Sequence, residues 1–136
     1  MQNPKLTIGA TFVIAASIGV WGIQTLNAQQ PAFKRTVLQK GDLSAPGREG
    51  VTALAEIPAG AAVGKHTHPG EEMAYVLEGS LLLEVEGKPP VTLKAGDVFF
   101  VEAGKVHDGK NVGNTAVKVV ATYIVEKGKP LATPVK

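Results

Sequence analysis

The residues best suited to chemistry are three histidines, the only ones in the chain, and a nearby glutamate. His66 and His68 lie one residue apart in the stretch GKHTHPGEE at 64–72, Glu72 follows them, and His107 comes later. Imidazole and carboxylate groups together favour Fe, Mn, Co, Ni, Cu or Zn, and four protein ligands leave one or two positions open for water or substrate. These four residues are therefore candidate ligands for one divalent transition metal ion. Ordinary hydrogen-bonding histidines on a sheet are the alternative that the residue types alone leave open.

The elements that must position these side chains are short β-strands. We predict strands at 51–57, 73–77, 80–86, 91–94, 98–101 and 116–126, each bounded by a turn signal that contains glycine. No segment beyond the N-terminal region shows a period of 3.6 residues, and short strands at close spacing predict an antiparallel sandwich or barrel. If 64–68 is extended, His66 and His68 project to the same side of the sheet, because alternate residues of a strand share a face.

The same alternation predicts which side chains are buried. In 80–86, the face that Leu81 occupies also holds Leu83 and Val85. In 116–126, one face holds Val117, Val119, Ala121, Tyr123 and Val125. If Glu72 points inward, the pocket side of its strand holds Ala74 and Val76, and the other side holds Met73, Tyr75 and Leu77.

Length and composition limit the architecture and the partners. The 136 residues are enough for one domain, which we predict at 29–136. The chain has no cysteine, so disulfides and thiolate metal sites are excluded. The formal net charge is only +2 and no long run of like charges occurs, so we expect no nucleic-acid partner.

The N-terminal region has the pattern of an export signal. An uncharged apolar stretch at 6–23 follows Lys5, and the small residue Ala28 stands at a plausible cleavage boundary. We predict a signal peptide at 1–28 and therefore a periplasmic or secreted domain. An uncleaved inner-membrane anchor through 6–23 is the alternative, because 18 residues reach the lower limit for crossing a bilayer.

The spacing of the candidate ligands resembles that of the cupin family. The first cupin motif, G-x5-H-x-H-x3-E-x6-G, is matched throughout by Gly60, His66, His68, Glu72 and Gly79. The second, G-x5-P-x-G-x2-H-x3-N, is matched by Gly96, Gly104, His107 and Asn111, with Glu102 where proline is usual. Two spaced motifs in the right order across 60–111 identify the chain as similar to a small single-domain cupin.

This resemblance implies an all-β fold, a jelly-roll β-barrel of antiparallel strands. It also implies that His66, His68, Glu72 and His107 hold the metal inside the barrel. Glu102 is expected to be a solvated turn residue, since the position shapes a turn and supplies no ligand. The motif glycines are expected where φ is positive or where a Cβ would be in the way.

The function expected from this resemblance is an exported metal-binding cupin that binds, or acts on, a small organic molecule. A dioxygenase-like, isomerase or lyase activity would use the metal as Lewis acid or template, with Glu72 as a catalytic base. A periplasmic metal-binding or small-molecule-binding protein without turnover is the alternative. Fold resemblance alone does not decide between the two.

Several further residues have weaker assignments. Arg48 could clamp a substrate carboxylate, but a solvated arginine is the simpler interpretation. Asn111 could support a ligand histidine through its other ring nitrogen. Phe99 and Phe100 point to opposite faces, so one of them lines the interior. The stretch at 33–43 could supply a swapped edge strand, which predicts a homodimer.

Overall fold

The structure is a computed structural model and describes residues 32–136. The predicted signal peptide at 1–28 and its apolar stretch at 6–23 lie outside the described residues. Within residues 32–136, no helix is long and apolar enough to cross a membrane.

Within residues 32–136, ten strands form two five-stranded sheets. The strands are β1 (Lys34–Asp42), β2 (Arg48–Ile57), β3 (His66–Thr67), β4 (Gly70–Glu78), β5 (Ser80–Val85), β6 (Val91–Lys94), β7 (Val98–Val101), β8 (His107–Asn111), β9 (Val117–Glu126) and β10 (Thr133–Pro134). The first sheet has the order β1-β2-β9-β4-β7, the second has the order β10-β3-β8-β5-β6, and all pairings are antiparallel. The predicted all-β jelly-roll fold is therefore confirmed.

The six strands predicted from apolar patterns are present, and the stretch at 33–43 contains edge strand β1, whereas the polar strand β8 was missed. Two predicted strands, 91–94 and 98–101, have the observed bounds, and the other four differ only at their ends. Strand β8 has the sequence HDGKN and contains no large apolar side chain, yet most of its residues are buried. Hydrophobic alternation cannot detect such a strand, because its buried side chains are polar.

The core lies between the two sheets and follows the predicted alternation. Leu81, Leu83 and Val85 are buried, as are all five residues of the predicted face of β9. Burying one large aliphatic side chain contributes about 1.5–3 kcal/mol, so these two strands fix how the sheets face each other. In β4, Ala74 and Val76 are likewise buried.

The opposite face of β4 is exposed, as predicted. It carries Met73, Tyr75 and Leu77, which are between 41% and 46% exposed. Alternation therefore assigned both faces of this strand correctly, and Glu72 points inward.

Two glycines, one of them in the first motif, occupy positions that need this residue type. Gly79, in the turn between β4 and β5, has φ of 85°, a conformation that other residues rarely adopt. A Cβ on Gly70, at the start of β4, would lie 1.9 Å from the carbonyl oxygen of Ile124. Glycine at these two positions thus lets β4 approach β9 and turn into β5.

Candidate metal centre

Four side chains from both sheets meet inside the barrel. His66 in β3 and His107 in β8 are direct partners in the second sheet. Glu72 lies on β4 of the first sheet, and His68 lies in the link between β3 and β4. Each of the four is at most 7% exposed. The structure thus brings together all four residues that the motif spacing predicted as ligands.

The geometry of this cluster suits a single ion. The ligand atoms of His66, His68 and His107 all lie within 4.8 Å of one another. Glu72 Oε2 is 3.0 Å from His107 Nε2 and 3.3 Å from His68 Nε2. Three imidazoles and a carboxylate at this spacing form a nitrogen and oxygen set that suits a transition metal.

Each histidine is held at Nδ1 by a backbone carbonyl. His66 Nδ1 is 2.7 Å from Gly64 O, and His107 Nδ1 is 2.9 Å from Lys105 O. His68 Nδ1 is 2.5 Å from the carbonyl oxygen of Leu131, in the C-terminal tail. A carbonyl can only accept, so Nδ1 must donate, which leaves Nε2 of each neutral ring free to bind a metal. Metal-binding histidines are usually oriented in this way.

One of these nitrogen atoms is left without a partner. His68 Nε2 is fully buried and makes no hydrogen bond to any described residue. Its contact with Glu72 is close, but it is not a hydrogen bond. A buried polar atom without a partner costs about 1–3 kcal/mol, so such atoms require an explanation. A metal ion bound at this nitrogen would supply one, and the residues present fit such an ion.

The environment keeps His66 neutral. The pKa of His66 is lowered from 6.5 to about 4, mainly by burial and also by the nearby His107, His68 and Arg35, against a hydrogen bond to Gly64 that raises it. Since a metal binds only the neutral ring, this histidine is ready to act as a ligand across most of the acidic range.

Glu72 and His107 have pKa values shifted in opposite directions. Burial alone would raise the pKa of Glu72, but its hydrogen bond with His107 and its close contact with His68 outweigh burial and lower the pKa to about 2. Burial likewise opposes charge on His107, yet its hydrogen bond to Glu72 leaves the pKa raised above 6.5. In the metal-free protein, His107 therefore donates a proton from Nε2 to Glu72. A metal ion would have to displace that proton.

A small cavity adjoins the cluster. Its volume is about 40 Å³, and it is lined by three of the four candidate ligands, His66, Glu72 and His107. A larger surface hollow of about 470 Å³ touches only His107 among the four. The small cavity is therefore the one next to the candidate metal position. It has room for a few water molecules or a small ligand.

The wall of this cavity differs in part from expectation. Phe99 lines it, whereas Phe100 is 49% exposed, so Phe99 is the inward member of the pair. Ala74 and Val76 are buried in the core but do not line the cavity. The apolar wall consists instead of residues from four strands and one loop: Ala55, Ile57, Val63, Leu81, Leu83, Phe99 and Val119.

Three weaker assignments are decided by the structure. Glu102 forms an exposed ion pair with Lys88, as expected for a turn residue. The possible role of Asn111 in supporting a ligand histidine is wrong. Its Nδ2 donates to the carbonyl oxygens of Ile57 and Thr115, both at 2.8 Å. Asn111 thus stabilises the turn after β8, and backbone carbonyls hold the histidines instead. Arg48 does not line the cavity.

Sequence patterns missed three contributors to the site. Arg35 and Tyr123 line the cavity, and the Tyr123 ring centre is 4.6 Å from that of His68. The third is the Leu131 carbonyl. Alternation placed Tyr123 on the buried face, but nothing in the sequence signalled that Arg35 or the tail reaches the site. The contacts of Arg35, Tyr123 and Leu131 at the site join residues that are 55 to 88 positions apart in the sequence, so no local sequence pattern predicts them.

Comparison with known proteins supports this architecture. Residues 53–123 match the model of the Cupin domain family. The chain is 40% identical over 74 residues to an oxalate-binding protein of Thermotoga maritima, covering 54% of this chain and 60% of that protein. It is 28% identical over 128 residues to germin-like protein subfamily 2 member 1 of Arabidopsis thaliana, covering 90% of this chain and 50% of that protein. The chain thus spans about half to three fifths of these relatives.

A solved structure has a similar fold. A conserved protein with a double-stranded β-helix domain from Klebsiella pneumoniae superposes with a TM-score of 0.62 at 21% identity, covering 75% of this chain and 85% of that one. Identity at this level shows the fold alone. With the family match across more than half of the chain and both motifs in place, the protein belongs to the cupin family.

Proposed function

We propose that this protein binds one divalent transition metal ion through His66, His68, Glu72 and His107, and that a small organic molecule occupies the remaining coordination position. The observation that carries the proposal is the buried Nε2 of His68, which has no hydrogen-bond partner among the described residues. The carbonyls that hold all three Nδ1 atoms support it, because they leave three Nε2 lone pairs available at one place.

The ion is one of Fe, Mn, Ni, Cu, Co or Zn, since three imidazoles and a carboxylate accept all of these. When bound, it supplies a Lewis acid and a template that orients a ligand. The chain's own residues provide the rest: the carbonyls orient the imidazoles, and the apolar wall around Phe99 keeps bulk water away from the open position.

Binding of a small organic molecule is the function that the cavity favours. About 40 Å³ beside the ligands admits a molecule of a few heavy atoms. The relative from Thermotoga maritima is an oxalate-binding protein, so a small carboxylate such as oxalate is the first ligand to test. We propose that this protein likewise binds such a ligand at its metal.

Turnover, in particular dioxygenase-like chemistry, is the second candidate. The apolar cavity favours it, because a site shielded from water protects reactive species. In this second candidate, Glu72 would act as the base that accepts a proton from the substrate. Its carboxylate oxygen lies between two histidine nitrogens, which suits a ligand better than a base. Binding without turnover is therefore the leading proposal.

One experiment separates the two candidates. The protein is loaded with each metal, titrated with oxalate in a calorimeter and then analysed for products by mass spectrometry. Saturable binding that needs the metal and yields no product supports the binding protein. Product formation in air that Glu72→Gln abolishes at saturating metal supports the enzyme. Oxalate binding that is unchanged in the metal-free protein would contradict both candidates.

We also propose that the domain is exported and forms homodimers. Export is supported by the apolar stretch at 6–23, and mass spectrometry of protein from its native host should find a chain that lacks residues 1–28. A mature chain that retains Met1 would contradict cleavage. The dimer is supported by β1, which forms one edge of the first sheet. Light scattering that detects only monomer would contradict it.

A further inference from the structure

Arg35 is a half-buried cation beside the candidate metal centre. It lies on β1, opposite Ala55 of β2, and lines the same cavity as His66, Glu72 and His107. Its guanidinium carbon is 5.1 Å from the ring centre of Phe33 and 5.8 Å from that of Tyr123. These aromatic contacts hold the planar group in place.

The hydrogen-bonding capacity of Arg35 is not fully used within residues 32–136. Its Nε is buried and has no hydrogen-bond partner there. The ion pairs in this part of the chain involve seven lysines, and none involves Arg35. A buried N–H donor without an acceptor is costly, and the planar array of N–H donors of a guanidinium matches a carboxylate or a similar oxyanion.

The cavity also has an approach that favours anions. An outer hollow of about 350 Å³ shares four lining residues with the inner cavity, namely Phe33, Arg35, Val63 and His66. Lys65 lines this outer hollow, and it is exposed and absent from the ion pairs of the described residues. The two spaces therefore adjoin at Arg35, and a ligand that enters this way passes two positive charges. Such a field raises the local concentration of anions.

The geometry points to Arg35 as the residue that selects a small carboxylate, which binds the metal through one oxygen and accepts hydrogen bonds from the guanidinium through others. This inference rests on the proposed metal site. A divalent ion and Arg35 against the single carboxylate of Glu72 leave an excess of positive charge, which an anionic ligand would neutralise. A neutral molecule of the same shape could accept the hydrogen bond through a carbonyl oxygen, but it would leave the positive charge uncompensated and would form the weaker hydrogen bond.

The test compares an anion with its neutral counterpart. Manganese-loaded protein is titrated with malonate and with malonamide by calorimetry, and metal content is measured on the same samples. We expect the wild type to bind malonate at least about tenfold more tightly than malonamide, because hydrogen bonds to charged groups are the stronger ones. This comparison needs no variant. Equal affinity for the two molecules, or no malonate binding, would overturn the inference.

Variants then assign the effect to Arg35. Arg35→Met keeps the length of the side chain and should lose the preference for malonate while keeping its metal. Arg35→Lys keeps the charge without the planar donors and should retain only part of the preference. Lys34→Met is the matched control: Lys34 is adjacent but exposed and paired with Glu56, so its variant should behave as the wild type.

The outcomes also separate this inference from the proposed function. Normal metal content with malonate affinity unchanged in Arg35→Met would overturn the role of Arg35 and leave the metal site standing. No metal in the wild type would overturn the proposed function and the inference with it. If Arg35→Met does not fold, Arg35→Lys and the comparison of malonate with malonamide still decide the matter.

Discussion

Residues 60–111 and the segments that flank them contribute different parts of one site. The motif region supplies all four candidate ligands and the carbonyls of Gly64 and Lys105 that hold two of them. The flanks supply Arg35, Tyr123 and the Leu131 carbonyl, which holds the third histidine from 63 residues away. The motif region thus supplies the side chains that would bind the ion, whereas the flanking segments shape the cavity that a ligand would enter.

The largest expected effect comes from the motif region. His107→Ala removes one ligand and the partner of Glu72, so metal affinity should fall by about 100-fold or more, at the upper end of the effects seen for supporting contacts. Competition with a chromogenic chelator measures it. Lys110→Ala on the same strand is the control, since its ion pair with Glu84 is at the surface. Equal loss in both variants would mean that strand disruption, and not ligand loss, is responsible.

The tail tests whether a flank supports the motif. A chain ending at Pro130 lacks the Leu131 carbonyl and β10, so His68 loses its acceptor and metal affinity should fall by about 10–100-fold. The same chelator competition applies, with circular dichroism to verify folding. A chain lacking only Lys136 is the control. Unchanged metal affinity in the folded, shortened chain would contradict a supporting role for the tail, because the motif region would then be sufficient for metal binding.

The response to pH follows from His107. Its pKa is raised above 6.5, so below that value it carries a proton where the metal would bind. Metal affinity should therefore fall as the pH decreases through this region, by about tenfold per pH unit for each proton displaced. His66, with a pKa of about 4, adds to the loss only in more acidic solution. Calorimetry at pH 6.5 in buffers of different ionisation enthalpy should detect the release of protons when the ion binds. No release would contradict the His107–Glu72 contact.

The smallest effect on the site is expected at Asn111, although it belongs to the motif. Its side chain is buried and bonded to three backbone groups, so Asn111→Ala should lower the free energy of unfolding by about 1–3 kcal/mol. Metal affinity should stay within twofold of the wild type, because no ligand is touched. Urea unfolding of the metal-free protein measures the first quantity, with exposed Asn114→Ala as the control. A large loss of metal affinity would restore the role that the sequence suggested for Asn111.

Much of the fold and of the candidate site could be predicted from the sequence, because the patterns that specify them are local. Alternation along β4 and β5 assigned both faces correctly, since neighbouring residues of a strand point to opposite sides. The ligand set followed from spacing within residues 60–111. Strand β8 was missed because its buried residues are polar. The hydrogen bond from His68 to the carbonyl of Leu131 was missed because every residue has a backbone carbonyl, so the residue type at this position does not indicate the contact.

The central claim is a metal ion at the three histidines and Glu72. The most direct test is elemental analysis of the purified protein beside a His66→Ala, His68→Ala double variant, before and after reconstitution with Fe, Mn, Ni, Cu, Co and Zn. We expect close to one metal ion per chain in the wild type and none in the double variant. Equal metal in both proteins, or none in the wild type after every reconstitution, would contradict it.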